Sequence, residues 1–387
     1  MIDIMIVRTN SVTHESRLIK IIKSLSKRYS LRVLGWNRQG IPEELRKNII
    51  EKTFRLKNDG NNPAFNVFNL QAPYGKPTLI CYLPLLFFFP LFWIWVFVTL
   101  IIHRPKIVHA CDLDAVLPCY IYAKLFRKKL VFEIVDRYAM TFIPNKSRLL
   151  FSFLNWLEEF FSKRSDLLLT LSDKVLASFH AKPKNSVTIL NCPENHISNL
   201  GDNKGKKTYE NNVLRIMYGG PIMAGRGLEH VATAVKNMDN VVLCVYGQII
   251  DQRLLDIITT TRNVIYGGFL RLYDDYHNAL FDADIIVAIY TEGTPSHQLT
   301  MHNKVLEAMM AGVPIITNLS SDFINEIGFG IIVEYGNVQQ IRSAIITLRD
   351  NRGLQKRLGD NGRKAFVEKY NWGVMEKKLY EIYEDLL

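Results

Sequence analysis

The stretch "HNKVLEAMMAGVPIITN" (302–318) indicates a helix start, a tight turn at "AGVP" and a buried strand in direct succession. A second apolar strand, "IIVAIY" (285–290), precedes it, and a third, "GIIVE" (330–334), follows it. Strands that alternate with helices at this spacing are typical of a parallel sheet covered by crossover helices. The stretch therefore predicts an α/β fold.

The same alternation occurs in the N-terminal half, where "IDIMIVR" (2–8), a helix and "LRVLGW" (31–36) form a βαβ start. A polar segment without apolar periodicity separates the halves. We therefore predict an α/β chain with two doubly wound, Rossmann-like parallel-sheet domains and an interdomain cleft. The predicted parts are an N-terminal domain over 1–192, a linker over 193–212, a second domain over 213–370, and a C-terminal helix over 371–387 that packs back on the N-terminal domain.

Residues 79–102 form a run of 24 residues without a charge. Strands before and after it belong to one predicted sheet, so a single membrane crossing is excluded, and two crossings would need about 40 residues. Pro84 and Pro90 also disfavour one unbroken helix. We predict a shallow dip into one leaflet, with burial in the core as the alternative. The predicted lipid contacts are Phe88, Phe92, Trp93, Trp95 and Arg104.

The net charge of +11 is distributed unevenly, because residues 1–200 carry +13 and the remainder −2. Basic residues near the apolar run favour an anionic membrane surface over nucleic acid, since aromatic and basic residues do not alternate as in base-stacking grooves. The five cysteines form no CxxC pair, and the start "MIDIMIVRTN" does not resemble an export signal. We expect a protein of the reducing cytosol.

Asn303, Lys304 and Glu307 lie at the start of the helix in the opening stretch. Free amides, the helix dipole and Lys304 would bind a diphosphate, and Glu307 could accept hydrogen bonds from ribose hydroxyls. The pair Gly219 and Gly220 follows a strand and would allow phosphate to approach the backbone closely. A solvated carboxylate and an ordinary turn are the alternatives.

Three segments, "NKVLEAMMAGVPIIT", "MYGGPIMAGRGLEHVATAV" and "YNWGVMEKKLYEIY", resemble the donor domain of the family-4 retaining glycosyltransferases, which have the GT-B fold. The first half is similar to a branch that acts in surface polysaccharide or glycolipid synthesis, through "VRTNSVTHESRLIKIIKSLSKRYSLRVLGWNR" and "RPKIVHACDLDAVLPCYIYAKLFRKKLVFEIVDRY". Together these segments extend over most of the chain.

The resemblance implies that Glu307 binds the donor ribose and that Arg226 and Lys304 stabilise the diphosphate. Leu299 stands where the family has a first glutamate, so the family's usual contact to the donor sugar is absent. His109 would position the donor sugar or the attacking hydroxyl, with Asp112 or Asp114 nearby, and Cys111 stands where the family often has a second histidine. A hydrogen-bonded structural histidine is the alternative. No cofactor or metal is expected, because cations and helix amides can stabilise the leaving diphosphate.

The predicted function is transfer of a sugar from a nucleotide-diphosphate donor to a lipid-linked glycan acceptor at the cytoplasmic face of the membrane, with retention of the anomeric configuration as the resemblance implies. The expected partners are the nucleotide-sugar, the lipid-linked glycan and an anionic membrane surface, without nucleic acid. Two alternatives remain, a non-catalytic membrane-docked scaffold with the GT-B fold and a sugar-nucleotide epimerase or hydrolase on that fold.

Overall fold

The computed structural model describes residues 2–10, 15–54, 62–71, 79–142, 148–180, 183–195, 213–270, 273–291 and 301–387, and within these it leaves out the side chains of 79–86, 141–142 and 273–274. Most of the predicted linker and Leu299 lie outside the described residues. The chain divides into two compact units. Unit 1 comprises Met1–Leu190 with Glu376–Leu387, and unit 2 comprises Asn191–Met375.

Unit 1 contains a seven-stranded, all-parallel sheet with the order β3-β2-β1-β4-β5-β6-β7. In chain order, its elements are β1 (Ile4–Val7), α1 (Ser16–Leu25), β2 (Leu31–Trp36), α2 (Glu43–Phe54), β3 (Ala64–Phe68), α3 (Leu79–His103), β4 (Ile107–Cys111), α4 (Leu113–Leu125), β5 (Lys129–Ile134), α5 (Tyr138–Phe142), α6 (Arg148–Ser162), β6 (Leu167–Thr170), α7 (Asp173–Ala177) and β7 (Ser186–Thr188).

Unit 2 contains a six-stranded, all-parallel sheet with the order β10-β9-β8-β11-β12-β13. Its elements are β8 (Leu214–Gly219), α8 (Leu228–Val235), β9 (Val241–Tyr246), α9 (Gln252–Thr259), β10 (Val264–Tyr266), α10 (Tyr273–Asp282), β11 (Ile285–Ala288), α11 (Asn303–Ala311), β12 (Ile315–Thr317), α12 (Ser321–Ile327), β13 (Gly330–Ile332), α13 (Val338–Asp350) and α14 (Arg352–Glu368). A last helix, α15 (Trp372–Leu386), starts in unit 2, and its residues from Glu376 belong to unit 1.

The two doubly wound parallel sheets that the sequence predicts are confirmed. Central strands such as β4 and β11 are buried throughout, which explains their unbroken apolar sequences. The sequence interpretation missed two strands of unit 1, β3 and β7. Both are edge strands of intermediate burial, where packing imposes a weaker apolar pattern.

Helix α3 runs unbroken through Pro84 and Pro90, so the expectation that these prolines interrupt it is wrong. Each proline removes one helical hydrogen bond. The buried side chains of Phe92, Val96 and Leu100, at helical spacing, pack this helix into the core and offset that loss. Among the described residues, no helix has the length and hydropathy of a membrane-spanning helix.

The predicted lipid contacts on α3 need correction. Phe92 is fully buried and its ring stacks on Trp36 at 4.9 Å, so its assignment to the membrane is wrong. Trp93 donates its indole N–H to the backbone oxygen of Asp114, and Trp95 packs against Phe92. These aromatic side chains contact the protein because they lie on the side of α3 that faces α4 and the sheet.

The last two predicted lipid contacts, Phe88 and Arg104, are not held against the protein in the same way. Phe88 is half-buried beside Phe87, whereas Arg104 is exposed just after the last residue of α3. Arg104 has a left-handed backbone conformation with φ of 48°, and its amide donates to the oxygen of Leu100. It is therefore the member of the set that is open to solvent at a helix end.

Candidate functional site

The sheet of unit 2 reverses its strand order between β8 and β11. At such a point the chain leaves the two neighbouring strands in opposite directions, which opens a crevice at their carboxyl ends where α/β proteins bind ligands. Gly219 ends β8 at this crevice, Gly220 follows it, and Tyr290 lies just beyond β11. Hence the predicted glycine pair lies where the topology favours a ligand.

The loop after β8 is held by two glycines in the left-handed region, Gly225 with φ of 80° and Gly227 with φ of 61°. The backbone oxygen of Gly225 accepts a hydrogen bond from Thr291 at 2.9 Å. Between the glycines, Arg226 places its guanidinium group 4.4 Å from the ring centre of Tyr290. This cation–π contact fixes the cation near the end of β11.

Helix α11 begins at Asn303, and His302 precedes it with an extended backbone. The helix is nine residues long, so its first amides and its dipole favour an anion at this end. Asn303 is exposed and accepts a hydrogen bond from the amide of Asn191 at 3.2 Å.

Lys304 and Glu307 lie one helical turn apart on α11, with the ammonium group 2.8 Å from Oε2 of the carboxylate. Tyr276 on α10 donates its phenolic O–H to the same oxygen at 2.6 Å. Lys304 also donates to the phenol oxygen of Tyr276. The three side chains form one closed group, and both described bonds to the carboxylate fall on Oε2.

The charges in this group are strongly coupled. Burial alone would raise the pKa of Glu307, but the Lys304 ammonium and the Tyr276 hydroxyl outweigh it and hold that pKa below its usual value. Burial and the adjacent Glu307 carboxylate raise the pKa of Tyr276 well above its usual value, and nearby Tyr290 and Tyr218 add to the shift. Glu307 is therefore an anion, and Tyr276 a neutral donor, at physiological pH.

Tyr276 was missed by the sequence reasoning, although its helix was predicted. The position of this tyrosine gives Gly219 a role other than letting a phosphate approach the backbone. A Cβ atom at Gly219 would lie 2.7 Å from the phenol oxygen of Tyr276, whereas one at Gly220 would meet nothing closer than 3.5 Å. Gly219 thus makes room for the tyrosine, and only Gly220 has ordinary space for a side chain.

In unit 1 the strand order reverses between β1 and β4, and the predicted His109 lies within β4. His109 is fully buried. Its Nδ1 is 2.7 Å from the hydroxyl of Tyr383 on α15, and its Nε2 is 3.0 Å from Glu133 on β5. In this geometry neither ring nitrogen is open to a substrate, and the substrate role of His109 stays a prediction.

Asp112 lies just after β4 and has φ of 66°, which is unusual for a residue other than glycine. Its carboxylate is 3.3 Å from the guanidinium group of Arg8, which also contacts Glu15 at 2.6 Å. Burial, with nearby charges, raises the pKa of Glu15 to about 7 and that of Asp114 to about 6. This edge of the sheet therefore has carboxyl groups that can exchange protons near neutral pH. These side chains, however, mainly contact other side chains of the same cluster.

His109, Cys111 and Glu133 offer ligand atoms within 4.8 Å of one another, which is close enough for a metal ion. However, the Nε atom of Arg17 lies 2.6 Å from Glu133, and Arg17 itself is 2 % exposed. A fixed guanidinium group beside the ligand atoms opposes a second cation electrostatically. These residues fit an internal hydrogen-bond network better than a metal centre.

Comparison with known proteins bears on unit 2 first. Residues 216–351 match the family described as glycosyl transferases group 1. Over this segment the chain is similar to the group 1 glycosyltransferases. The matched segment extends from within β8 to just past the C-terminal end of α13 and contains Gly219, Arg226, Tyr276, Lys304 and Glu307.

Two curated relatives match a larger part of the chain. The chain is 23% identical over 288 residues to the uncharacterized glycosyltransferase MJ1069 of Methanocaldococcus jannaschii, covering 69% of this chain and 71% of the relative. It is 25% identical over 238 residues to the capsular polysaccharide biosynthesis glycosyltransferase CapM of Staphylococcus aureus, covering 56% of this chain and 60% of the relative. The chain thus spans less than two thirds of CapM.

Solved structures extend the likeness to both units. Sucrose-phosphate synthase of Thermosynechococcus elongatus has a TM-score of 0.71 and 15% identity, with 100% of this chain and 99% of that chain covered. Anabaena HepE in complex with UDP has a TM-score of 0.72 and 15% identity, with 99% and 100% covered. At this identity the likeness establishes the fold, which is the GT-B fold.

Proposed function

We propose that this protein is a retaining family-4 glycosyltransferase that transfers a sugar from a nucleotide-diphosphate donor to a lipid-linked glycan, at the cytoplasmic face of a membrane. The observation that carries the proposal is the Lys304, Glu307 and Tyr276 group at the start of α11. It combines a cation, helix amides and an anionic carboxylate at one end of a helix within the segment that matches the group 1 glycosyltransferases. A diphosphate and a ribose present the complementary chemistry.

In the proposed reaction, the bond between the anomeric carbon and the donor phosphate oxygen breaks as the acceptor hydroxyl attacks from the same side. Arg226, Lys304 and the first amides of α11 stabilise the negative charge that develops on the leaving diphosphate. The leaving phosphate oxygen takes the proton of the acceptor hydroxyl, so the step needs no carboxylate base. With these cations and amides on the diphosphate, the proposed reaction requires no divalent metal ion, and we expect transferase activity to persist in EDTA.

Glu307 has a separate role in binding the donor. Its Oε2 atom accepts hydrogen bonds from Lys304 and Tyr276, whereas its Oε1 atom has no hydrogen-bond partner among the described residues. We infer that Oε1 accepts the ribose hydroxyls. The pair with Glu307 also fixes Lys304, whose side chain is 18% exposed, at the helix start where the phosphates would lie.

A lipid-linked acceptor in surface polysaccharide synthesis is supported by the similarity to CapM and by the exposed apolar and basic surface of unit 1. UDP-sugars come first in a donor screen because HepE was solved with UDP and UDP-glucose.

The test incubates purified protein with a panel of nucleotide-sugars and a polyprenyl-diphosphate-linked acceptor, with the product followed by mass spectrometry and its anomeric configuration by NMR. Lys304→Met and Glu307→Gln should each lower kcat/KM by about 100-fold or more. The exposed residues Lys364 and Glu368 provide matched controls, Lys364→Met and Glu368→Gln.

Three results would contradict the proposal. Inversion at the anomeric carbon would remove the retaining mechanism. Release of free sugar or an epimer without acceptor would instead identify a hydrolase or an epimerase. Activity of Lys304→Met and Glu307→Gln equal to that of the controls would show that this group is not the donor site.

A further inference from the structure

Helix α3 presents a continuous apolar stripe to solvent on the side opposite Phe92. Its members recur every three or four residues up to Ile101, as one face of a helix requires, and Ile102 adjoins the last of them. Phe87 is 70% exposed, Ile94 61% and Ile102 67%. The full stripe is Phe87, Leu91, Ile94, Val98, Ile101 and Ile102. From Phe87 to Ile102 it extends about 22 Å along the helix.

The stripe continues onto two neighbouring helices. Helix α4 packs against α3 on one side and against α6 on the other, so the three helices form one layer. Their further exposed apolar side chains are Ile121, Leu125 and Phe126 at the end of α4, and Leu149, Leu150, Phe153 and Trp156 on α6. We call these seven side chains, together with the α3 stripe, the α3–α6 face. An exposed apolar surface shared by three packed helices normally indicates an interaction site.

Charge around this face has one sign. The exposed cations that flank it are Arg104, Lys124, Arg127, Arg148, Lys163 and Arg164. Acidic residues of the same segments turn inward, since Asp112 pairs with Arg8 and Glu158 with Arg137. The remaining two acids are also engaged, Asp114 with Thr9, and Glu159 with His180 and with the flanking cation Lys163.

Arg104 and Arg127 lie just past the C-terminal ends of α3 and α4. Because α3 leads into β4 and α4 leads out of it, both helices run antiparallel to that strand, and these ends lie at the same edge of the sheet. Five of the six flanking cations therefore collect at one end of the α3–α6 face, whereas Arg148, the first residue of α6, lies at the other end. This arrangement matches a lipid leaflet, where anionic phosphates lie beside an apolar layer.

We propose that the α3–α6 face docks on an anionic lipid bilayer, with Phe87, Ile94 and Ile102 in the apolar layer and Arg104, Lys124 and Arg127 at the lipid phosphates. This inference rests on the proposed function for its purpose, which is access to a lipid-linked acceptor. Membrane binding itself requires no donor and no catalysis, so the docking proposal and the proposed transferase function can each fail without the other.

The first experiment is flotation of the full-length protein with vesicles of phosphatidylcholine, with or without about 30% phosphatidylglycerol. Wild type should float with the anionic vesicles and less with the neutral ones. The triple variant Phe87→Ser, Ile94→Ser, Ile102→Ser should lose about 10-fold or more of this binding. The matched control carries the same substitutions on unit 2, Phe269→Ser, Ile250→Ser and Ile257→Ser, at side chains of similar exposure, and should float as wild type.

A second arm tests charge. Reversal of the cations in Arg104→Glu, Lys124→Glu and Arg127→Glu should reduce binding to anionic vesicles to the level seen with neutral vesicles. Added salt should weaken wild-type binding in the same direction. Equal binding of wild type and this variant would overturn the electrostatic part of the proposal.

A folded, monomeric triple serine variant that floats as wild type would overturn the docking proposal. So would a wild-type dimer in solution that becomes a monomer on the same substitutions, because the face would then join two copies of the chain. Glu307→Gln should float as wild type even though its kcat/KM falls by about 100-fold or more. Conversely, the serine variant should glycosylate a short-chain soluble acceptor at the wild-type rate and lose activity only on acceptor embedded in vesicles.

Discussion

The phenolic oxygen of Tyr276 lies 2.6 Å from Oε2 of Glu307 and donates a hydrogen bond to it. The two residues are 31 positions apart, on α10 and α11. Since Lys304 bonds both of them, the tyrosine connects the cation and the carboxylate of the candidate donor site. Tyr276 is therefore a positioning residue for this pair.

Tyr276→Phe should remove one donor from Glu307 and raise the pKa of its carboxyl. A hydrogen bond to a charged group contributes about 1.5–3 kcal/mol, so kcat/KM should fall by at least about 10-fold. The acidic limb of the pH profile should also move to higher pH, because Glu307 then protonates more readily. The control is Tyr370→Phe, at a ring that packs on Phe323 in the same unit. An unchanged acidic limb would show that the tyrosine does not act through Glu307.

Gly219→Ala should destabilise the fold, because its new methyl group would lie 2.7 Å from the Tyr276 phenol oxygen. Overpacking of this kind costs about 1–3 kcal/mol. Gly220→Ala is the matched substitution, since the nearest atom lies at 3.5 Å, and its unfolding free energy should stay near that of wild type. Denaturant unfolding of the three proteins measures the difference. Equal stability of the two variants would mean that Tyr276 moves aside without cost.

Phe92→Ala and Phe87→Ala remove the same side chain from opposite sides of α3. Phe92 is fully buried against Trp36, so its loss should cost about 3–5 kcal/mol of unfolding free energy. Phe87 is 70% exposed, and its loss should change that free energy by no more than about 0.5 kcal/mol. Chemical denaturation without vesicles gives both values. A similar cost for the two variants would contradict the orientation of the helix.

Glu133→Gln should leave Arg17 buried without its carboxylate and cost about 3–5 kcal/mol at neutral pH. Burial would raise the pKa of Glu133, but Arg17 and His109 outweigh it and lower that pKa below the ordinary value of 4.5. Below pH 4.5 the unfolded chain therefore binds the proton more readily than the folded one, so this contribution is present above pH 4.5 and lost as the pH falls.

The gap in unfolding free energy between wild type and Glu133→Gln should thus narrow as the pH is lowered from 6 towards 3. Urea unfolding at a series of pH values measures it. The exposed Glu368→Gln should show no such gap at any pH. A gap that stays constant with pH would mean that Glu133 is not ionised in the native network.

Much of the fold could be predicted, because buried parallel strands need unbroken apolar runs and these are visible in "KIVHA", "LRIMYGG" and "VPIITN". The pair at the start of α11 was also predictable, because Lys304 and Glu307 are one turn apart on a single helix and their proximity needs no tertiary contact. Strand β3 was not, because an edge strand of intermediate burial has a mixed pattern that resembles a loop.

The sequence by itself determined three features: the two parallel-sheet domains, the glycine pair at the end of β8, and the Lys304 and Glu307 pair at the start of α11. Each depends on residues within a few positions of one another. Only the tertiary structure decided that Tyr276 completes the Glu307 group and that Tyr383 and Glu133 occupy both nitrogens of His109. It also decided which side of the uniformly apolar α3 is core and which is exposed, as the contrast between Phe92 and Ile94 shows. A helix that is apolar all round has no periodicity from which to derive its orientation, so packing against α4 and the sheet sets it.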